Sequence, residues 1–158
     1  MAMTTLIVYA SIALGVSFLC SILEAVVLSI PHTYIAVLEK DGDKNGVVWT
    51  NLKEDDAVKP LTAILTLNTI AHTMGAAGVG SEVQSILGEG ALTIASIILT
   101  IAVLFLSEII PKTLGTAYWK QLAPFTGKLL AILVRLLAVL IIPIQMLKAI
   151  LPKGDHTL

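Results

Sequence analysis

The chain alternates between long apolar stretches and short polar segments. Three apolar stretches, at about residues 5–30, 60–79 and 91–110, are each long enough to cross a bilayer, which takes about 20 helical residues. The pattern therefore predicts an all-α membrane protein with three transmembrane helices. At 158 residues, the chain is expected to form one domain over residues 1–158.

A fourth apolar stretch, at about residues 124–151, is interrupted by Arg135, Pro143 and Lys148. As a fourth span it would place Lys148 and Lys153 outside, against the usual distribution of basic residues. As a helix lying in the interface, it keeps its cations at headgroup level, and the proline kinks it. We favour the interfacial interpretation, which adds a juxtamembrane helix and short connecting helices to the three spans.

The composition agrees with a membrane location. Hydrophobic residues make up 56% of the chain and charged residues 13%, whereas soluble domains carry about 25% charged residues. The net charge of −1 gives no indication of a nucleic-acid partner. Cys20 is the one cysteine, which excludes an internal disulfide and a metal cluster held by several thiolates.

The basic residues predict the orientation. Residues 1–30 and 81–90 contain no Lys or Arg, whereas the loop 31–59 carries four lysines and the remaining Lys and Arg residues follow residue 110. By the positive-inside rule, the N-terminus lies outside, and the loop 31–59 and the C-terminus are cytoplasmic. We therefore expect a multi-pass protein of the cell membrane.

Each predicted span contains a polar residue that is costly in lipid, namely Glu24, Asn68 and Glu108. Such residues usually face a bundle interior or an ion pathway. At a rise of 1.5 Å per helical residue, Ser21, Asn68 and Glu108 lie roughly 6–13 Å above the cytoplasmic side. The three spans thus place oxygen atoms at one level, where a shared cation site could form.

The first span carries Ser17, Ser21 and Glu24 at spacings that put them on one helical face. The serines alone are explained as well by hydrogen bonds to backbone carbonyls and by close helix packing. Because Glu24 lies on the same stripe, the pattern favours a site.

The most informative stretch is SEIIPKTLG, residues 107–115. Pro111 has no N–H and cannot bond the carbonyl of Ser107, four residues back. This free carbonyl lies beside the Glu108 carboxylate, and a hard cation prefers such oxygen ligands. Lys112 follows Glu108 by four residues, which predicts an ion pair within the helix. The alternative is a kinked, capped helix end with that ion pair and no cation site.

In the second span, Asn68 and His72 share a helical face. His72 could bind a transition metal, but a single histidine in a span more often hydrogen-bonds within the bundle. Gly75, Gly78 and Gly80 are interpreted as close-packing positions or as a loosened helix end.

The chain resembles the transmembrane domain of the CNNM/CorC family of magnesium transporters. The resemblance rests on SILEA at residues 21–25, LNTIAH around Asn68, and SEIIPKTLG, which is similar to the GE-x-x-PK signature of the family. It covers nearly the whole chain. It implies a homodimeric domain with three spans, short helices, a juxtamembrane belt helix and a cytoplasmic C-terminus.

The resemblance also implies a Mg²⁺ site. The implied ligands are the Ser21 hydroxyl, the Asn68 amide oxygen, the Ser107 carbonyl and the Glu108 carboxylate. Five further residues are expected to support them: Ser17, Glu24, His72, Pro111 and Lys112. Ser107 stands where the family usually has glycine, and His72 where a second asparagine is common. The resemblance therefore implies a cation site more firmly than it implies selectivity for Mg²⁺.

The implied function is export of Mg²⁺ by alternating access, coupled to Na⁺ as has been proposed for relatives. No enzymatic activity is expected. The alternative is a membrane-embedded module that senses a cation and dimerises without transporting it. Relatives usually carry a cytoplasmic CBS-domain pair that binds adenine nucleotide. Since residues 1–158 contain no such pair, the chain is expected to be a truncated or a short natural form.

Overall fold

The computed structural model describes residues 1–151, which form helices and turns with no β-strand in that range. This confirms the predicted all-α fold class. Seven α-helices are joined by a short 3₁₀ turn at Glu89–Ala91 and a π-helix at Val103–Ile109. In chain order, the α-helices are α1 (Ala2–Ser29), α2 (His32–Lys40), α3 (Lys44–Leu87), α4 (Leu92–Ala102), α5 (Ile110–Ala117), α6 (Trp119–Leu136) and α7 (Ala138–Ile150).

Two helical segments are long and apolar enough to cross a membrane by length and composition, Ala2–Ser29 and Glu89–Ala117. The helices α6 and α7 are long and apolar enough to cross a membrane only when they are taken together as one bent segment, and they meet at an angle of 82°. The predicted second span lies within α3 and is not among these segments. Its polar residues, such as Asn68 and His72, together with its glycines, lower its mean hydropathy.

The helix boundaries follow from local chemistry. Ile30 adopts an extended conformation before Pro31, which ends α1, because the residue before a proline avoids the helical region. The N-terminus of α3 is capped by Asp43, whose Oδ1 accepts a hydrogen bond from the Asn45 N–H at 2.9 Å. Gly88 ends α3 with a φ of 83°, which glycine adopts without steric cost.

The long helix α3 is interrupted near its middle. Glu54 is extended, and Asp55, Asp56 and Ala57 follow with φ values of 50°, 56° and 59°. Three consecutive left-handed residues that are not glycine are unusual, since each costs roughly 1–2 kcal/mol relative to the right-handed helix. The chain resumes helical backbone angles after Ala57, so α3 consists of a short polar half before the interruption and a longer apolar half after it.

A buried core joins α1, α2, the polar half of α3, and α6. Trp49 lies at its centre, fully buried, and its Nε1 donates to the Ala123 carbonyl at 2.9 Å. Gly127 allows this approach, because a Cβ there would lie 2.8 Å from Trp49 Nε1. Lys53 Nζ donates to the Val27 carbonyl at 2.6 Å, near the C-terminus of α1, and burial lowers the pKa of Lys53.

The apolar half of α3 runs antiparallel to α1 at close range. A Cβ on Gly75 would overlap the Ala13 side chain, and a Cβ on Gly78 would lie 2.7 Å from the Tyr9 ring. Both glycines are therefore close-packing positions, as predicted. Gly80 is less tightly placed, since a Cβ there would lie at an ordinary 3.5 Å from Leu92.

Candidate cation site

The π-helix at Val103–Ile109 ends two residues before the motif proline, Pro111. At its C-terminal end, the Ile110 N–H donates to the carbonyl of Phe105, five residues back rather than four. Pro111 follows and is buried. A π turn inserts one extra residue into a helix and is frequent at functional sites. The sequence predicted disturbed helical bonding caused by Pro111, and the structure has a π-helix just before this residue.

Ser107 lies inside the π-helix, fully buried, and is tied to α1 through both of its oxygens. Its carbonyl accepts a hydrogen bond from Ser21 Oγ at 2.6 Å. Its own Oγ donates to the Leu14 carbonyl at 3.0 Å. The structure thus brings together two of the predicted ligands, Ser21 and Ser107.

A second contact fixes the register between α1 and α3. Ser17 Oγ lies 2.7 Å from His72 Nε2. One helical turn further along α1 comes Ser21, and one turn back along the antiparallel α3 comes Asn68. Both steps lead toward the same end of the bundle by about 6 Å. Asn68 therefore lies at the level of Ser21 and of the Ser107 carbonyl.

The amide of Asn68 is unusual at this position. Its Oδ1 is buried and has no hydrogen-bond partner among the described residues. Leaving a buried acceptor without a partner costs about 1–3 kcal/mol. His72, in contrast, uses its imidazole in the hydrogen bond with Ser17, in agreement with the bundle role favoured from the sequence.

The predicted ion pair between Glu108 and Lys112 is wrong. Lys112 Nζ lies 3.2 Å from Glu24 Oε2 on α1 instead. The spacing argument assumed a regular α-helix, but Glu108 belongs to the π-helix and Lys112 to α5, so the side chains of the two residues are not aligned as on one α-helical face. Glu108 is half-buried and forms no salt bridge within residues 1–151.

The chemistry of the candidate ligands is that of a hard-cation site. The set consists of one carboxylate and three neutral oxygens, from a hydroxyl, an amide and a backbone carbonyl. Oxygen ligands of this kind suit Mg²⁺ and Ca²⁺. Residues 1–151 contain no cluster of three or more His, Cys, Asp or Glu side chains that could hold a metal.

Comparison with known proteins places the chain in a family. Residues 8–156 match the family model described as the Cyclin M transmembrane N-terminal domain, CNNM. The chain belongs to the CNNM family. The CNNM domain is also 29% identical over 128 residues to the UPF0053 protein sll1254 of Synechocystis sp. (strain ATCC 27184 / PCC 6803 / Kazusa). That match covers 81% of this chain and 36% of the Synechocystis protein, so the chain spans about a third of its relative.

One residue of the CNNM motif received no role from the sequence. Gly115, at the end of SEIIPKTLG, lets α5 approach α1 closely, because a Cβ there would lie 2.7 Å from the Ala25 Cβ and 3.0 Å from the Ile22 carbonyl. This approach fixes the segment that carries Lys112 next to the segment that carries Glu24. The signal available in the sequence was a glycine one turn after Pro111, within the motif.

Proposed function

We propose that this CNNM domain transports a divalent cation, Mg²⁺, across the cell membrane, as an exporter coupled to Na⁺. The observation that carries the proposal is the buried, unpartnered Oδ1 of Asn68 at the level of the Ser21–Ser107 hydrogen bond. A buried oxygen without a donor is costly to keep, and a bound cation supplies the missing partner. Membership of the CNNM family supports the same function.

The proposed ligands are Ser21 Oγ, Asn68 Oδ1, the Ser107 carbonyl and the Glu108 carboxylate. Without an ion, the Ser21 hydroxyl donates to the Ser107 carbonyl and holds the two oxygens together. When Mg²⁺ enters, this hydroxyl turns its proton away, so that both oxygens present lone pairs to the ion. Mg²⁺ requires six ligands and usually retains several waters, which complete the shell. Transport by alternating access involves no covalent chemistry.

A second copy of the chain is proposed as the partner. The segment Glu89–Ala117 is mostly exposed in the single chain, and only 6% of its most apolar 18-residue stretch is buried. On α4, the Ser96 and Thr100 hydroxyls donate to carbonyls of their own helix, at 2.8 and 2.7 Å. This face of α4 is formed by isoleucines and by small side chains, and its Ser96 and Thr100 hydroxyls are satisfied within the helix. Such a face suits close packing of another helix in a bilayer.

The decisive experiment compares Asn68→Leu with the parent chain. We expect Asn68→Leu to weaken Mg²⁺ binding by at least about tenfold in isothermal titration, since an amide ligand is lost. Mg²⁺ flux into or out of proteoliposomes should fall in parallel. The matched control is Thr66→Val on the same helix, whose hydroxyl bonds to the Thr62 carbonyl at 2.8 Å and is not among the proposed ligands.

The outcomes separate the two functions that the sequence left open. If Asn68→Leu binds Mg²⁺ as tightly as the parent chain does, the proposed site is wrong. Binding by the parent chain without any flux would refute transport and favour a module that only senses the cation.

A further inference from the structure

The salt bridge between Glu24 and Lys112 connects α1 to α5. Lys112 Nζ lies 3.2 Å from Glu24 Oε2, and the two side chains are 44% and 36% exposed. The close contact of Gly115 with Ala25 and Ile22 holds the two backbones together at this point. The backbones that carry Glu24 and Lys112 are therefore held in place, although the two side chains are partly accessible to solvent.

One carboxylate contacts Lys112 in the structure, and a second lies close to it along the chain. Glu24 is its partner in the structure, and Glu108 precedes it by four residues along the chain. The π-helix takes Glu108 and Lys112 off one regular α-helical face, but the lysine side chain is flexible and can reorient once Glu24 no longer holds it. Opposite charges attract strongly where water is partly excluded. An ammonium group on Glu108 would occupy the carboxylate oxygens and repel an arriving cation. In that case, the carboxylate that binds Lys112 would determine whether Glu108 is available.

We propose that Glu24 is a positioning residue that holds Lys112 away from Glu108 and so keeps the Glu108 carboxylate available for a divalent cation. The inference rests on the proposed function, because it assigns the cation to Glu108. It also explains why two opposite charges lie so near the candidate site: the charges of Glu24 and Lys112 cancel, and the site keeps the single negative charge of Glu108.

The test is a double-mutant cycle read by isothermal titration with MgCl₂ on the full chain in nanodiscs. We expect Glu24→Gln to weaken Mg²⁺ binding about fivefold, an effect between those of exposed and buried ion pairs. Adding Lys112→Met to Glu24→Gln should restore parental affinity to within about twofold, since the competing ammonium is gone and the net charge is again that of the parent. Glu24→Asp, which keeps a carboxylate for Lys112, should stay close to the parent.

The control is Glu39→Gln, which removes an exposed carboxylate whose Oε1 accepts from Thr50 Oγ1 at 2.7 Å, away from the site. It should leave Mg²⁺ affinity unchanged. If Glu24→Gln weakens binding equally with and without Lys112, Glu24 acts directly on the cation and the inference is overturned. If Glu24→Gln lowers the melting temperature but not the affinity, the pair is only structural, and the inference fails in that case too.

A metal-free measurement keeps the inference testable if the parent binds no Mg²⁺ and the proposed function fails. In a Cys20→Ala background, Glu108→Cys is treated with an anionic methanethiosulfonate reagent. Adding Glu24→Gln should increase the reaction rate about threefold, because a released Lys112 attracts the reagent and favours the thiolate. Further addition of Lys112→Met should abolish the increase. Equal rates in all three variants would show that Glu24 does not control Lys112.

Discussion

At the scale of single residues, Asn68 combines two properties that rarely coincide in a helical bundle. It lies where α3 packs closely against α1, yet its buried Oδ1 has no hydrogen-bond partner among the described residues. One turn away, His72 meets Ser17 at 2.7 Å. Under the proposed function, the hydrogen-bonded His72 serves the stability of the bundle, and the unpartnered Asn68 serves ligand binding.

The stability of Asn68→Leu tests this distinction. Leucine has the same number of side-chain heavy atoms in a similar branched arrangement and removes the unpartnered oxygen, so in Mg²⁺-free buffer we expect the free energy of unfolding to rise by about 1–2 kcal/mol. The control is Ser21→Ala, which removes a hydroxyl that has a partner and should lower the free energy of unfolding by about 1 kcal/mol. Thermal melting in detergent measures both. A lower melting temperature for Asn68→Leu would mean that its amide is structural.

At the scale of secondary-structure elements, the π-helix and Pro111 act together. A proline inside a helix removes one hydrogen bond. The π-helix before Pro111 ends with a hydrogen bond from the Ile110 N–H to the carbonyl of Phe105, five residues back. In this arrangement the Ser107 carbonyl points to α1 and accepts from Ser21. The unusual helix therefore directs a backbone oxygen toward the candidate ligands.

Pro111→Ala is expected to weaken this arrangement without unfolding the protein. Alanine supplies an N–H that can bond the Ser107 carbonyl in a regular α-helix, so this carbonyl is withdrawn from the site. We expect Mg²⁺ affinity in isothermal titration to fall about as far as in Glu108→Ala, with the melting temperature maintained. Pro124→Ala, at a proline inside α6, is the matched control and should bind like the parent. Parental affinity in Pro111→Ala would show that the proline does not shape the site.

The left-handed turn in α3 leads to an independent stability prediction. Asp56 is exposed and has a φ of 56°, which glycine tolerates better than aspartate. We expect Asp56→Gly to raise the free energy of unfolding by about 0.5–1 kcal/mol, the strain relieved less the entropy that glycine adds to the unfolded chain. Asp41→Gly, at an exposed residue with a φ of −78°, should be neutral or destabilising. If both variants melt at the same lower temperature, the turn is not strained.

At the scale of the whole molecule, the sequence predicted what depends on local patterns. Mean hydropathy and the proline after Ile30 are local properties, so the all-α class and the end of the first helix could be predicted. The salt-bridge partner of Lys112 depends instead on how α5 lies against α1, and the spacing of Glu108 and Lys112 contains no such information. The extent of α3 to Leu87 likewise depends on packing against α1, which stabilises a glycine-containing helix that its own composition would weaken.

The geometry of the C-terminal helices bears on how the chain lies in the membrane. The helices α6 and α7 meet at an angle of 82°. The 13 residues of α7 extend only about 20 Å, less than the roughly 30 Å of hydrocarbon that a span must cross. On α6, Lys128 and Arg135 are exposed beside the exposed apolar side chains of Phe125 and Ile132, as expected for a helix lying at the level of the headgroups.

Accessibility of single cysteines to an impermeant maleimide tests the topology in a Cys20→Ala background. Ser85, Lys44 and Lys148 are all exposed, so cysteines at these positions can react wherever the reagent reaches them. With an outer N-terminus and three crossings, Ser85→Cys should react in intact cells, whereas Lys44→Cys and Lys148→Cys should react only after permeabilisation. Ser85→Cys also serves as the positive control for the intact cells. Reaction of Lys148→Cys from outside would make α6 and α7 a bent fourth span, and the interfacial position of these helices would then be wrong.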